Sequence, residues 1–494
     1  MEKRPVRVRF APSPTGSTHL GSGRTALYDY LFARQNDGQF ILRLEDTDQK
    51  RYVPGSEQKL IQDLHWLGLD WDEGVDVGGP YAPYRQSERK EIYREHAHWL
   101  IEHNSAYPCF CTPERLEKVR SEQMKNKIPT HYDGTCRILD FDEARRRMMS
   151  GERHVIRFKT PQDGSITFRD HLRGEITVEN RNIDDYVLVK SDGLALYHLA
   201  AMVDDHLMNI SHVIRGSEWL STFPLHVHIL RAFGWDEPDW VHLSVFLKPS
   251  GKGKMSKRDK EQASQDGYSI FISDLHELGY LPEAVVNWIS LMGWSYDDHT
   301  EFFKLDDLVE KFSLDHLNPS PAAINFSKLD FFNGLHIRHL DPVDLSKRVK
   351  PFFVQAGFQV DDTKLLKATP LIQERMVTLD EGPERGGFFF MDKINPRLED
   401  LVGKNMTAQE SAQAARKALG VLESLPGLSH SEADLPLRTL AEEMGLSAGQ
   451  LFGILRVAVT GQPVSPPLLE SMEVIGKETV YERIRTAIQL LETD

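Results

Sequence analysis

The chain has 494 residues, 40% of them hydrophobic and 27% charged, with a formal net charge of −15. That length predicts several structural units rather than one core. The acidic balance argues against nonspecific binding of DNA, while leaving room for a specific RNA contact through local cationic patches.

The charged opening, Met1 to Phe10, is no signal peptide, and apolar runs such as Phe388 to Met391 are too short to span a bilayer. Val6, Val8 and Phe10 alternate with Arg7 and Arg9, which predicts a strand that two prolines, Pro12 and Pro14, bring to an end. Gly21-Ser-Gly23 then opens a helix running from Arg24 to Gln35. A second strand over Gln39 to Leu44 ends in the acidic cluster Glu45 to Asp48. Strand, turn, helix, strand is the beginning of a parallel α/β sheet, and ligands of such sheets sit past the strand ends.

A charged helix is expected over Arg89 to His103, followed by the cysteine segment and by Arg- and Asp-rich turns through Arg181, together an insertion. Strand-like runs return at Ile183 to Val189 and Ile210 to Ile214, with a helix between them over Tyr197 to His206. Helices are expected from about His336 to the C-terminus. The last carries an apolar stripe of Val480, Ile484, Ile488 and Leu491.

Two distant segments point to chemistry. The first, Ser13-Pro-Thr-Gly-Ser-Thr-His-Leu-Gly21, delivers the imidazole of His19 and the bare backbone of Gly21 to a helix N-terminus. Free amides and the positive end of a helix dipole suit phosphate there. The second, Gly251-Lys-Gly-Lys-Met-Ser-Lys-Arg258, carries Lys254 and Lys257 on a glycine-flanked loop able to close over a triphosphate. Taken singly, each also fits an ordinary surface turn or a solvated basic loop. Together they describe two halves of a nucleotide clamp. Arg9 and Arg215 are placed to hold a carboxylate, Glu45 to receive an ammonium, and Tyr197 to offer a hydroxyl, although each also suits a structural ion pair or surface group.

All the cysteines fall in one segment, Cys109, Cys111 and Cys136. An odd count gives no disulfide framework and suits a reducing compartment. Three thiolates with a fourth donor, His131 or Tyr132, suit a closed zinc site, and three reduced thiols without metal are the plainer alternative.

These motifs, with Leu44-Glu-Asp-Thr-Asp48, Tyr84-Arg-Gln-Ser-Glu-Arg89, Val203-Asp-Asp205, Leu291-Met-Gly-Trp294 and Leu455 to Gly461, resemble the bacterial glutamyl-tRNA synthetases, which are class I aminoacyl-tRNA synthetases. The resemblance extends over essentially the whole chain. It implies an α/β fold with a Rossmann-type parallel-sheet catalytic domain split over 1–84 and 190–250. An inserted acceptor-end domain would fill 85–189, a helical stem-contact domain 251–335, and an all-α anticodon-binding region 336–494. The reaction it implies is ATP-dependent formation of glutamyl-adenylate, with Mg2+ accompanying ATP, then transfer of glutamate to the terminal adenosine of tRNA-Glu. Such enzymes typically activate glutamate only with tRNA bound.

By motif, His19, Gly21, Glu218, Lys254 and Lys257 would serve ATP, with His19, Lys254 and Lys257 catalytic. Arg9, Ser13, Glu45, Tyr197 and Arg215 would bind glutamate, and Arg375 would read the anticodon. The cysteine pattern favours Tyr132 over His131 as the fourth zinc ligand. A cytoplasmic monomer with no membrane partner is expected. The chain departs from the pattern at Ser22, where a second histidine is usual, at Arg258 in place of serine, and at Ala201 where some relatives carry asparagine. Charging of tRNA-Gln as well, or transfer of a nucleotidyl group to a small molecule, are the alternative readings.

Overall fold

The computed structural model describes residues 4–48, 52–255 and 268–493. The chain divides into two compact units, one of residues 1–275 and 285–326 and the other of 276–284 and 327–494.

The first unit starts with β1 (Arg7–Phe10), α1 (Leu20–Gln35), β2 (Gln39–Leu42), α2 (Ser56–Trp66) and β3 (Glu73–Gly74). The three strands are parallel, with Arg9 opposite Ile41. Val8, Arg9 and Phe10 are all buried, so β1 is covered on both faces, as parallel strands usually are. α1 begins at Leu20, ahead of the expected Arg24, because the His19 side chain caps its first turn. That cap offsets the poor helix propensity of Gly21 and Gly23.

Next come α3 (Lys90–Glu102), β4 (Ala106–Cys109), α4 (Pro113–Lys125), α5 (Phe141–Met149), β5 (Val155–Phe158), β6 (Ser165–Asp170), β7 (Gly174–Glu179) and β8 (Val187–Val189). The stretch expected as turns through Arg181 is thus largely helix and strand. α4 buries none of its residues and so shows no apolar stripe. It is started instead by the Thr112 cap and by Pro113 in its first turn. β4, β5 and β8 form an antiparallel sheet. β6 and β7 form a hairpin whose Ile166 and Phe168 face the core.

α6 (Tyr197–Leu207), β9 (His212–Gly216), α7 (Phe223–Phe233) and β10 (Asp239–Leu243) complete the α/β layer. β10 lies parallel to both β9 and β6. β9 starts two residues later than expected, because Ser211 instead ties the strand to β1: its amide donates to the Arg7 carbonyl at 2.9 Å. Phe246–Leu247 pairs in parallel with Ala322–Ala323.

The second unit is built of helices, including Pro342–Gln355, Asp362–Gln373, Ala408–Ser424, Ala448–Thr460 and Lys477–Glu492. Capping boxes at Thr407, Ser429 and Ser447 fix three helix starts. The last helix buries Val480, Ile484, Ile488 and Leu491 in one continuous core, as its spacing predicts. Among the described residues, no helix is long and apolar enough to cross a membrane.

Candidate active site

A cavity of about 460 Å³ opens past the C-terminal ends of β1 and β9, where a parallel sheet offers a binding crevice. Arg9, Ser13, His19, Gly21, Glu45, Tyr197, Arg215, Glu218 and Lys254 all line it. Residues from five separate stretches of chain therefore meet around one cavity. Lys257 lies outside the described residues, as does Arg258.

His19 sits at the N-cap of α1, and its Nδ1 accepts from the Gly21 amide at 3.0 Å. An Nδ1 that accepts puts the neutral ring's proton on Nε2, which makes that nitrogen a donor. The expectation of free amides at this helix end needs correction. Leu20 donates to the Ile270 carbonyl, Gly21 to His19 Nδ1, and Ser22 and Gly23 both donate to the His19 carbonyl. An anion here meets the helix dipole and side chains rather than bare N–H groups. Ser22 lines the cavity in place of the absent second histidine.

Arg9 and Glu45 belong to a network of buried charge beside the cavity. Arg9 donates from Nε and Nη2 to Asp205 at 3.0 and 3.4 Å. Arg43 pairs with the same Asp205 at 2.8 Å and reaches Glu45 at 3.3 Å. Arg89 holds Asp204 at 2.7 Å, where Tyr93 and Gln86 also donate. Arg9 therefore already has a carboxylate partner, which it shares with Arg43, and its Nη1 makes no hydrogen bond among the described residues.

Arg215 differs. It is buried, yet its guanidinium donates only to neutral groups: the Tyr197 hydroxyl at 3.2 Å, His242 Nε2 at 3.0 Å and His226 Nδ1 at 3.0 Å. Burial lowers its proton affinity, with the Tyr197 oxygen acting the other way. A desolvated guanidinium with no anionic partner among the described residues favours an incoming carboxylate. Tyr197 is held flat against Trp219, with ring centroids 4.0 Å apart.

Burial raises the Glu45 carboxyl to about 7, against the pull of Arg43 and Arg9. Half-exposed Lys254 stands 3.9 Å from Glu218 at the cavity mouth. The sequence reading missed Arg24. This α1 residue lines the cavity, lies over the Phe246 ring at 4.1 Å, and donates to the Met292 carbonyl at 2.7 Å and to the Ser244 carbonyl. Its place inside a helix gave no signal of either contact. Ala201 is buried in the core and does not line the cavity.

The family model described as "tRNA synthetases class I (E and Q), catalytic domain" matches residues 5–331. The chain belongs to this family. A second family, "Anticodon binding domain", matches residues 344–488 of this synthetase. The glutamate–tRNA ligase of Roseiflexus sp. is 45% identical over 99% of this chain and 97% of its own. That of Dehalococcoides mccartyi is 44% identical over 98% of each. The crystal structure of a glutamate tRNA ligase from Elizabethkingia meningosepticum, in complex with its amino acid, superposes with a TM-score of 0.90 at 38% identity, covering 99% of this chain and all of that one. A small-molecule nucleotidyltransferase would not account for the match over 344–488.

Outside the cavity, the synthetase gathers Cys109, Cys111 and Cys136 with their sulfur atoms within 4.8 Å of one another. The Tyr132 hydroxyl lies 3.4 Å from Cys109 Sγ and 3.3 Å from Cys111 Sγ, and accepts from the Cys136 amide at 2.9 Å. His131 is not in this group; its backbone pairs with the Gln123 side chain. A tetrahedral zinc thiolate has S···S edges of about 3.8 Å, and Cys111 and Cys136 are 3.5 Å apart. The donor set fits zinc. A hydrogen bond from Cys136 is the main cause holding the Cys109 thiol well below its usual range.

In the second unit, Arg375 lines a cavity of about 320 Å³ with Glu384, Arg385 and the Gln462 to Pro466 turn. Arg456 holds that turn by donating to the Ser465 and Pro466 carbonyls at 3.0 and 2.9 Å.

Proposed function

We propose that this protein is a glutamate–tRNA ligase whose cavity couples L-glutamate to ATP and then to the 3′-terminal adenosine of tRNA-Glu. One observation carries the reading of the pocket: buried Arg215 has no carboxylate partner among the described residues, in a cavity shared with Glu45 and His19. The side-chain carboxylate of glutamate takes up the Arg215 guanidinium and the Tyr197 hydroxyl, with Arg9 Nη1 and Ser13 beside it. Glu45 receives the ammonium. Glutamine is refused because its neutral amide would leave a buried cation unmatched.

An oxygen of the α-carboxylate attacks the α-phosphorus of ATP, a P–O bond forms, and pyrophosphate leaves. His19, donating from Nε2, with Lys254 and Lys257, offsets the charge that builds on the phosphate oxygens. Gly21 leaves room for the nucleotide, Glu218 holds its ribose, and Mg2+ arrives with ATP. The 2′-hydroxyl of the terminal adenosine then attacks the glutamyl carbonyl, loses its proton and displaces AMP.

In this reading the sheet over 1–84 and 190–250 is the catalytic domain, 85–189 meets the acceptor end, 251–335 the stem, and 336–494 the anticodon, with Arg375 in contact with it. Cys109, Cys111, Cys136 and Tyr132 would hold a zinc ion, which would supply a structural cross-link. The protein acts as a cytoplasmic monomer. The test is ATP–pyrophosphate exchange with glutamate, glutamine or aspartate, with and without tRNA. Exchange that needs glutamate and tRNA-Glu together is expected. Robust exchange with a different acid and no tRNA would overturn the assignment.

A further inference from the structure

We propose that His226 and His242 are specificity-determining positioning residues, which grip Arg215 through bare ring nitrogens and so keep its charge available for the substrate carboxylate. The proposal rests on the reading that Arg215 binds that carboxylate, and it assigns a role to residues that never touch the substrate.

A guanidinium only donates hydrogen bonds. Its Nε is 3.0 Å from His242 Nε2, and its Nη2 is 3.0 Å from His226 Nδ1. Both ring nitrogens must therefore present lone pairs, and neither ring can be an imidazolium. The second nitrogen of each ring fixes the tautomer. His242 Nδ1 donates to Asp170 at 2.8 Å, and the same carboxylate oxygen accepts from the His242 amide at 3.0 Å. His226 Nε2 donates to His198 Nδ1 at 2.9 Å. Asp170, His226 and His242 are wholly buried.

Charges around the group support the same state. Burial, then the Arg215 cation, lowers the proton affinity of His226, and the neighbouring His198, His242 and Arg9 act in the same sense. For His242, burial and Arg215 outweigh the opposing pull of Asp170.

The contrast with neighbouring arginines gives the arrangement its meaning. Arg9, Arg43 and Arg89 each meet a carboxylate directly. Asp170 also serves Arg215, but with an imidazole between them. A carboxylate in direct contact would neutralise the guanidinium before the substrate arrived. An imidazole supplies the same directional grip without doing so, and aims the fork at the cavity.

The test compares His226→Gln with His226→Glu. Glutamine keeps a neutral oxygen for Arg215 and an N–H for His198, whereas glutamate installs a competing anion. Steady-state exchange in the presence of tRNA, with glutamate and with glutamine, reads KM and kcat separately, and thermal unfolding checks the fold. The Glu variant should raise the glutamate KM at least tenfold and lower the glutamate-to-glutamine preference at least tenfold, with ATP KM unchanged. The Gln variant should recover KM to within threefold of the parent. A folded Glu variant with parental glutamate KM, or an equal loss in both variants, would overturn the proposal.

If the Glu variant fails to fold, nitrogen NMR of histidine-labelled parent protein decides. His242 Nε2 and His226 Nδ1 should both lack protons at neutral pH, and a proton on either would overturn the inference. Absence of glutamate-dependent exchange in the parent, or an Arg215→Ala variant with parental glutamate KM, would instead strike at the functional reading beneath it.

Discussion

Phe271 pairs with His19 as an antiparallel bridge: the Leu20 amide donates to the Ile270 carbonyl at 2.9 Å and the Ile272 amide to the Thr18 carbonyl at 3.0 Å. The rings of His19 and Phe271 meet edge to face, 6.1 Å apart. Chain leaving the lysine-bearing loop is thus stitched to the first motif. At the loop's other end, the Met255 amide is tied to the Phe246 carbonyl at 2.8 Å, and Met255 lines the same cavity.

Phe271→Ala should keep the backbone bridge but release the His19 ring. A misplacement on the order of 1 Å can cost roughly a hundredfold in rate, and part of that is expected here: kcat for exchange about tenfold lower, with glutamate KM little changed. Losing a buried aromatic also costs about 3–5 kcal/mol of stability, so kinetics belong well below the unfolding midpoint. An unaltered kcat would show that the ring does not orient His19.

Arg215→Ala should lower kcat/KM for glutamate by roughly ten- to a hundredfold, the worth of one charged hydrogen-bonded partner. With Arg215 meeting the substrate side chain as proposed, the loss should fall on KM and leave ATP KM alone. Equal kinetics for parent and variant would remove Arg215 from the pocket.

Much of this pocket was legible in the chain because of where its residues lie: His19 in a Gly- and Pro-rich turn, Glu45 past a strand, and Lys254 just after Gly253. Arg215 was legible too, at a strand end. Its partners were not. His226 and His242 sit within α7 and β10, where a histidine reads as any half-polar position, and Asp170 closes a strand 72 residues from the ring it orients. Only the packing of α7 and β10 around β9 reveals them. The α4 and α5 region was likewise opaque, since helices lacking a buried stripe leave no periodic trace.

Glutamate binding should depend on pH through Glu45. Its carboxyl, raised by burial to about 7, is charged above that value and neutral below it. In the proposed pocket the ammonium of glutamate would pair only with the charged form, so glutamate KM should rise as pH falls from 8 to 6. Glu45→Gln should start with a high KM and show little of this slope. A parental slope retained in the Gln variant would assign it to another group.

Zinc, if held by the cysteine cluster, should be measurable as metal in the purified protein. Cys136→Ser should reduce metal content sharply and loosen amide protection around β4, to which Cys109 belongs. Equal metal content in parent and variant would show that these thiols do not hold it.

Asp29 provides a test of buried charge. It lies in α1, fully buried, and neither carboxylate oxygen has a hydrogen-bond partner among the described residues. Burial holds its carboxyl well above the usual range, although the Arg9 cation pulls the other way. A folded-state value raised above the unfolded one gives stability that is full below the unfolded value, about 4. That stability is lost as pH rises through the folded value. Asp29→Asn keeps the shape and removes the titration. It should therefore be more stable than the parent at pH 8, by roughly 1.4 kcal/mol for each pH unit by which folding raises the Asp29 value. The advantage should shrink as pH falls towards 4, where both side chains are neutral. Thermal unfolding across that range reads the difference directly, and a variant less stable than the parent at pH 8 would show that Asp29 is ionised and usefully paired with Arg9.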